Sequence, residues 1–152
     1  MKQLLIVYHS NTGNTQRLAL AAYEGAQEFT DEVNTRLIRA FDTTLEDLLN
    51  CDGLLLGTPE NFGYMSGALK DFFDRTFYPA QGQLVGLPYS VFISAGNDGS
   101  NALAHIERIA RGYPFKPVCE PLICKGPITT EAIQQANEMG QTLAAGIAFG
   151  IF

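Results

Sequence analysis

One segment of the sequence combines hydroxyls, amides and a glycine in a pattern suited to holding an anion. It is residues 9–15, HSNTGNT, and Gly13 within it lets another group approach the backbone closely. A helix is predicted to start at Asn14, and the first turn of a helix has free N–H groups and a partial positive charge. The segment contains no Lys or Arg. We therefore predict an anion site that works through dipoles, the alternative being a polar turn with an ordinary helix cap.

Four familiar kinds of phosphate-handling site do not match this sequence. The segment is neither the GxGxxG fingerprint of dinucleotide-binding proteins nor the GxxxxGK[ST] loop of nucleotide triphosphatases. It contains no cysteine, which excludes thiol-nucleophile phosphatases. A phosphoacceptor receiver domain needs clustered Asp residues, and this chain has Ser10 and Thr58 in the corresponding places.

A second segment, residues 58–67 (TPENFGYMSG), is suited to holding a flat ring. Pro59 stiffens its start, and Gly63 permits an unusual backbone angle between two aromatic residues. Phe62 and Tyr64 lie in a loop, where burial does not require them, and can cover a planar ligand. The alternative is that both rings fold back onto the core.

A third segment, residues 94–100 (SAGNDGS), is small and flexible and has no aromatic residue. Its glycines allow main-chain N–H and C=O groups to reach the edge of a ligand. The alternative is a plain connection in which Asp98 or Ser100 caps the next helix.

The elements that must position these segments alternate between strand and helix patterns. The sequence predicts five strands, each followed by a helix, which is typical of a parallel sheet with helices on both faces. The predicted strands are Leu4–Tyr8, Val33–Ile38, Cys51–Gly57, Tyr89–Ser94 and one within Pro117–Cys124. The predicted helices are Asn14–Phe29, a short one opened by a capping box at Thr43–Glu46, one from the Ser66 cap to about Phe77, Asn101–Arg111, and one starting at Thr129 or Thr130. The three segments follow the first, third and fourth strands, and ligands of such sheets bind beyond the carboxyl ends of the strands.

Composition predicts a single domain spanning residues 1–152. The chain is 46% hydrophobic, and its formal charge of −6 argues against nucleic acid or anionic lipid as partners. We expect no signal peptide, because the N-terminal apolar stretch is short, ends in polar residues and lacks a small-residue cleavage site. We expect no membrane span, because the late apolar stretch Leu143–Phe152 is too short. The 3 cysteines show no CxxC spacing, so we predict buried thiols in a reducing, cytoplasmic compartment and no metal site.

Two of the segments resemble a known family. Ser10–Thr15 is similar to the phosphate loop of flavodoxins. Gly57–Lys70 resembles the second flavin loop of flavodoxin-like NAD(P)H:quinone oxidoreductases and NADPH-dependent FMN reductases. The resemblance covers the alternation of elements from Leu4 to the last helix. It implies a flavodoxin-like α/β three-layer sandwich, with a five-stranded parallel sheet in the order 2-1-3-4-5 and non-covalently bound FMN.

The resemblance also implies which residues contact FMN. The FMN phosphate would lie on Ser10, Asn11, Thr12, Gly13, Asn14 and Thr15. The ring would rest against Thr58, Pro59, Asn61, Phe62 and Gly63, with Tyr64 as a second aromatic able to cover it. The pyrimidine edge would meet Ser94, Ala95, Gly96 and Gly99, mostly through backbone groups.

Flavin chemistry takes place on the cofactor, so no catalytic side chain and no metal are expected. The chain has no Trp and its third segment has no aromatic, which leaves one face of a bound ring open to NAD(P)H. This favours an oxidoreductase that passes electrons from NAD(P)H to a quinone, flavin or similar acceptor. One alternative is a flavodoxin-type carrier for a dedicated partner enzyme. Another is a non-catalytic interaction protein that docks through its apolar final helix, which would also suit a homodimer.

The remaining charged residues look ordinary. Lys70 and Arg75 are predicted to be solvated helix residues, although either can meet an NADPH phosphate. His9 adjoins the first segment, and a structural role is favoured over anion binding. His105 is expected on the surface.

Overall fold

The computed structural model describes residues 1–152 as seven strands and five α-helices, with short 3-10 helices at Gln27–Phe29 and Ala40–Asp42. The strands are β1 (Lys2–Tyr8), β2 (Val33–Arg39), β3 (Gly53–Asn61), β4 (Tyr64–Met65), β5 (Pro88–Ala95), β6 (Lys116–Pro117) and β7 (Leu122–Lys125). The α-helices are α1 (Asn14–Ala26), α2 (Leu45–Leu49), α3 (Gly67–Ala80), α4 (Ser100–Gly112) and α5 (Thr130–Ala148).

The sheet has the predicted order. β2, β1, β3 and β5 are neighbours and run parallel, and β6 and β7 both pair with β5 at its outer edge. If β5 is counted as the fourth strand, and β6 and β7 together as the fifth, the order is the 2-1-3-4-5 that the family resemblance implies. The doubly wound α/β class is therefore confirmed.

The predicted count of five strands is wrong in two places. β4 is a two-residue strand that pairs antiparallel with the end of β3, where a loop was expected. The last predicted strand is interrupted, since β6 ends at Pro117 and β7 begins only after Pro121. Proline has no N–H to donate to a neighbouring strand, so a continuous strand is disfavoured here. Cys119 consequently lies outside the strands, and Cys51 precedes β3 rather than opening it.

Alternation along the strands divides the core between the two faces of the sheet. Leu4 and Ile6 of β1 pack with α1 and α5, in a cluster that includes Leu18 and Leu143. Leu5 and Val7 face the other way, toward α3 and α4. The sheet is thus the middle layer of three, and its buried apolar strands are those expected of a parallel sheet.

Helix starts were predicted to within one residue, and α4 begins at Ser100 where Asn101 was predicted. Ser66 caps α3 and Thr129 caps α5, each accepting from a backbone N–H three residues later. The capping box of α2 is one residue further along than predicted. Thr44 and Asp47 form it, because the buried Thr43 hydroxyl donates to the Arg39 carbonyl instead.

Arg75 is more than a solvated side chain. Its guanidinium donates to the carbonyl oxygens of Thr43 and Ala40, at 2.7 and 2.9 Å, and to the carboxylate of Asp71. It therefore fastens α3 to the segment before α2.

None of the helices has both the length and the apolar run that crossing a bilayer requires. All 3 cysteines are free thiols, and burial raises the pKa of Cys51 to about 12. One face of the apolar final helix is buried, including Leu143, Ala144 and Ile147. This burial accounts for its composition, although Phe149 and Ile151 beyond it are exposed.

Candidate functional site

The three predicted segments meet at one edge of the sheet. They follow β1, β3 and β5, which are adjacent and parallel, so their carboxyl ends lie side by side. The His9 N–H donates to the Gly57 carbonyl, and the end of β3 at Pro59 is in register with Ser94 of β5. We call residues 9–15 the first loop, Asn61–Tyr64 the hairpin, and residues 96–99 the third loop.

The first loop is a cradle of unpaired backbone donors. Gly13 adopts φ +101° at the start of α1, and no side chain caps that helix. The Ser10 hydroxyl accepts from the Gly13 N–H at 3.0 Å and closes the loop into a turn. The backbone N–H groups of residues 10–12 and 14–16 donate to no acceptor in the protein. Six amides around one glycine are thus free to bind an oxygen-rich anion.

The side chains of this loop are uncharged, and their surroundings differ. Asn11 and Thr12 are exposed, Asn14 is half-buried, and Thr15 is buried. The Thr15 and Ser94 hydroxyls lie 2.7 Å apart, which joins the base of the first loop to the end of β5. At the start of the loop, burial and the nearby positive charge of Arg39 lower the pKa of His9.

The hairpin holds an aromatic residue in a backbone conformation that aromatic residues rarely adopt. Asn61 pairs with Tyr64, and the two residues between them, Phe62 and Gly63, have φ of 53° and 72°. Positive φ at both central positions is typical of a type I′ turn, which normally contains Asn or Gly. The Phe62 side chain is fully exposed, so no burial offsets the strain.

The hairpin is fastened to the first loop and to the sheet. The Asn11 amide donates to the Asn61 side-chain oxygen at 3.1 Å. Thr58 is buried, and its hydroxyl accepts from the Ser66 N–H and donates to the Pro59 carbonyl. Thr58 therefore lies beneath the hairpin and shapes it, whereas the half-buried Pro59 and Asn61 lie nearer the surface.

The third loop is open and built from small residues. Ser94 and Ala95 are buried at the end of β5, while Gly96 is exposed and has no atom within 4 Å of the place a Cβ would occupy. Gly99 has φ +88° and is packed against Ile123. Hydrogen bonds from Ser100 lower the pKa of Asp98.

The residue that sequence reasoning missed is Glu60. Its carboxylate accepts from the Gly99 N–H at 3.0 Å and from the Ala102 N–H at 3.3 Å. It thereby caps α4 from the neighbouring strand, and Asp98, one of the two residues expected in this role, also accepts from the Ser100 N–H at 3.4 Å. Local patterns do not reveal a contact between residues 39 positions apart. The one available signal was a carboxylate at the end of a strand next to a helix that starts with glycine.

Tyr64 is directed toward α4. Its ring lies on His105, with centroids 4.6 Å apart and an angle of 44° between the planes. His105 is therefore half-buried rather than a free surface residue.

This edge of the sheet can hold an anion and a flat ring at once. The first loop offers amide donors without a counter-charge, the hairpin offers an exposed aromatic face, and the third loop offers backbone groups.

Comparisons with known proteins agree with this arrangement. The family described as NADPH-dependent FMN reductase matches residues 1–119. A flavodoxin from Aquifex aeolicus is 35% identical over 105 residues, which cover 68% of this chain and 56% of the relative. An NAD(P)H dehydrogenase (quinone) from Acidithiobacillus ferrooxidans is 34% identical over 114 residues, covering 62% of this chain and 57% of the relative. This chain thus spans little more than half the length of these two relatives.

Solved structures show the same fold. A flavodoxin from the domain Archaea superimposes with a TM-score of 0.84 at 22% identity, covering 95% of this chain and 98% of that one. A WrbA-like flavodoxin from Agrobacterium tumefaciens gives a TM-score of 0.77 at 19% identity, covering 97% and 98%. The fold is therefore flavodoxin-like, and the match over residues 1–119 shows that the chain belongs to the NADPH-dependent FMN reductase family.

Proposed function

We propose that this chain is an FMN-binding oxidoreductase that passes electrons from NAD(P)H to a quinone, a flavin or a similar acceptor. The observation that carries the proposal is the hairpin. Phe62 has a fully exposed ring at φ 53°, and its neighbour Asn61 is hydrogen-bonded to the first loop. Strain of this kind collects at ligand sites, where binding offsets it. A flat ring lying against Phe62, with its phosphate in the first loop, would do so.

The first loop fits the phosphate of FMN. The free N–H groups of residues 10–12 and 14–16 are numerous enough to satisfy several phosphate oxygens. Hydrogen bonds to a charged acceptor contribute about 1.5–3 kcal/mol each, and the start of α1 adds its dipole. The hydroxyls of Ser10 and Thr15 hold the shape of the loop, and Thr12 is exposed as a further donor.

The hairpin and the third loop fit the ring of FMN. Phe62 and Pro59 would face it, and backbone groups at Ala95, Gly96 and Gly99 would meet its pyrimidine edge. Glu60 holds the third loop against the hairpin through its two hydrogen bonds to α4. When bound, FMN would supply the electron and hydride chemistry. The protein would bind and orient it and leave one face accessible, since residues 94–100 contain no aromatic side chain.

A flavodoxin-type electron carrier is the second candidate. It is favoured by the extent of the structural likeness to a flavodoxin, which covers 95% of this chain. Both candidates need the same FMN site and differ in whether NAD(P)H reaches the ring. Anaerobic mixing of the FMN-loaded protein with NADPH separates them. Rapid loss of the flavin absorbance is expected of the oxidoreductase, and no loss would establish the carrier instead.

The cofactor site itself is tested by comparing FMN with riboflavin, which lacks the phosphate. Binding is followed by the change in flavin fluorescence during titration. We expect FMN to bind at least a hundredfold more tightly than riboflavin, since several charge-assisted hydrogen bonds distinguish them. Equal affinities would mean that the first loop does not bind the phosphate.

Gly13→Ala tests the same loop from the protein side. Gly13 has φ +101° and open space around it, so a methyl group would strain the turn without a clash. We expect FMN affinity to fall about tenfold or more and riboflavin affinity to change little. Gly82→Ala is the matched control, because Gly82 also has positive φ and open space but lies beyond α3. Both variants should lose about 1 kcal/mol of stability, and an equal effect of both on FMN would contradict the assignment.

The proposal also covers the domain organisation, the compartment, the partner and the oligomeric state of the protein. We infer that residues 1–152 act as a single domain in the cytoplasm, which the three free thiols support. The partner would be a small-molecule or protein acceptor of electrons. The exposed Phe149 and Ile151 support a homodimer, and the mass measured by light scattering tests it.

A further inference from the structure

Glu60 joins the two segments that would flank the ring of FMN. It lies near the end of β3, between Pro59 and Asn61, which are both proposed to contact the ring. Its carboxylate accepts from the Gly99 N–H at 3.0 Å and from the Ala102 N–H at 3.3 Å, so the side chain bridges β3 and the start of α4. The carboxylate is therefore fixed in position relative to both the hairpin and the third loop.

Glu60 also brings a negative charge to an edge of the sheet that contains few charges. Residues 9–15, 58–67 and 94–100 include only two side chains that are charged at neutral pH, Glu60 and Asp98. Asp98 is exposed, and its carboxylate is hydrogen-bonded to Ser100 within its own loop. Glu60 is half-buried, and no Lys or Arg lies within salt-bridge distance of it. Water and salt screen an exposed charge more strongly, so Glu60 should act more strongly on a molecule bound between the loops.

Without Glu60, the start of α4 would favour an anion beside the third loop. The backbone N–H groups of residues 96–98 donate to no acceptor in the protein. The first turn of a helix carries roughly half a positive charge, which stabilises a nearby anion. The carboxylate of Glu60 occupies two N–H groups at this helix start, and its full negative charge exceeds that half charge. The charge that a ring between the loops experiences from this side is therefore negative.

The sign of this charge matters because reduction makes the ring of FMN negative. A hydride from NAD(P)H adds one hydrogen and one negative charge to the neutral ring and leaves NAD(P)⁺. We propose that Glu60 positions the third loop and that its charge weakens the binding of reduced FMN relative to oxidised FMN. Reduced FMN is thereby a stronger electron donor to the acceptor. This inference rests on the proposed function, because it requires FMN between the hairpin and the third loop.

Two substitutions of Glu60 separate its charge from its hydrogen bonds. Glu60→Gln removes the charge at the same length, whereas Glu60→Asp keeps the charge but is one methylene shorter. The two-electron potential is measured anaerobically on the FMN-loaded protein against a reference dye. We expect Glu60→Gln to improve binding of reduced over oxidised FMN about tenfold, which corresponds to a potential about 30 mV higher than that of wild type. Glu60→Asp should keep the wild-type potential, and both variants should lose stability in urea titrations of the flavin-free protein.

Two further variants serve as control and as independent test. Asp98→Asn removes the same charge from an exposed position near the same helix start, so it should change the potential much less. Asn101→Lys leaves Glu60 in place. Asn101 is exposed in the first turn of α4, and its amide nitrogen lies 3.7 Å from the place a Cβ on Gly63 would occupy. A positive charge there should raise the potential, as Glu60→Gln does.

Several results would overturn the proposal. These are a wild-type potential in Glu60→Gln, equal changes in Glu60→Gln and Glu60→Asp, or an equal change in Asp98→Asn. If Glu60→Gln does not fold, an unchanged potential in Asn101→Lys is the deciding result against it. If wild type binds no FMN, the proposed function fails and the role of Glu60 fails with it. If FMN binds and the potential does not depend on the charge of Glu60, only the role of Glu60 is wrong.

Discussion

Glycines serve opposite purposes in two regions of this molecule, the contact between α1 and α5 and the loops at the carboxyl edge of the sheet. Where the helices cross, a Cβ on Gly25 would collide with the backbone carbonyl of Asn137, and one on Gly140 with that of Ala22. At the sheet edge, a Cβ on Gly13 or Gly96 would meet no atom within 4 Å. One set of glycines allows two backbones to touch, and the other leaves space beside the backbone.

This difference separates the α1–α5 contact, which stabilises the fold, from the loops at the sheet edge, which are expected to bind a ligand. The α1–α5 contact is fully packed, and the Asn137 side chain also donates to the Ala21 carbonyl across it. The loops contain the opposite features, namely unpaired amides, an exposed phenyl ring and an unfavourable backbone angle. A substitution in the first region should therefore act on folding, and one in the second should act mainly on ligand affinity.

The largest expected effect is that of Gly140→Ala in the packed region. The new methyl group would overlap the Ala22 carbonyl, and because backbone cannot rotate aside as a side chain does, α1 and α5 must move apart. Overpacking of this kind costs about 1–3 kcal/mol. We expect a loss of about 2 kcal/mol in the free energy of unfolding, measured by urea titration, with FMN affinity unchanged.

Gly67→Ala is the control for this variant. Gly67 is also in a helix, at the start of α3, but nothing lies within 4 Å of its Cβ position and its φ is not positive. Alanine there should be neutral or stabilise by up to about 1 kcal/mol, since it restricts the unfolded chain. Equal stabilities of the two variants would show that the crossing of α1 and α5 tolerates a methyl group, which would remove the contrast between the regions.

The next largest effect is expected from Phe62→Asn, which should raise stability and lower FMN affinity. Phe62→Asn places a residue that tolerates positive φ in a turn that prefers Asn-Gly. We expect the variant to be about 1 kcal/mol more stable than wild type, which is about 2–4 °C in Tm for a chain of this size. FMN affinity should fall about tenfold through loss of ring stacking, within the usual range for aromatic pairs.

Phe149→Asn tests whether this result is specific to the hairpin. It also removes an exposed phenyl ring, but from a residue at φ −103°, so no strain is relieved. It should leave FMN affinity unchanged and should not raise stability. If Phe62→Asn were destabilising, the hairpin angle would not be a strained one.

The fold could be predicted further than the site because its signals are local. Buried strands such as Leu4–Tyr8 are continuous apolar runs, and caps such as Ser66 have side chains that act three residues away. Local signals do not decide between two capping boxes that fit the sequence equally well. In the sequence TTLED, either Thr43 with Glu46 or Thr44 with Asp47 makes a capping box, and only the burial of Thr43 decides between them.

The site depends on contacts that no local pattern contains. The sequence predicts a loop at residues 58–67, whereas β3 extends to Asn61 and pairs with β4, and this register places Phe62 at positive φ. Glu60 was overlooked because the helix it caps starts on a different loop. The Thr58 hydroxyl accepts from the Ser66 N–H beneath the hairpin, a contact eight positions away that no local pattern indicates. Tertiary packing decided these three points.

The smallest expected effect is a pH dependence of stability at the edge of the first loop. His9 is half-buried with its Nδ1 atom lacking a partner, and its ring meets Phe41 edge-on at 6.2 Å. Burial and the charge of Arg39 lower its pKa in the folded protein. As pH falls below about 6.5, the unfolded chain therefore takes up a proton on His9 before the folded one does, so folding is disfavoured. The stability that neutral His9 contributes is present above that pH and declines below it.

Replacing His9 should remove this part of the pH dependence. We expect flavin-free wild type to lose more stability than His9→Gln between pH 7 and pH 5 in urea titrations. If the free energy of unfolding changed with pH equally in wild type and His9→Gln, the folded protein would not lower the pKa of His9. Because the α1–α5 contact contains no histidine, a confirmed difference would locate acid sensitivity in the binding edge and not in the packed region.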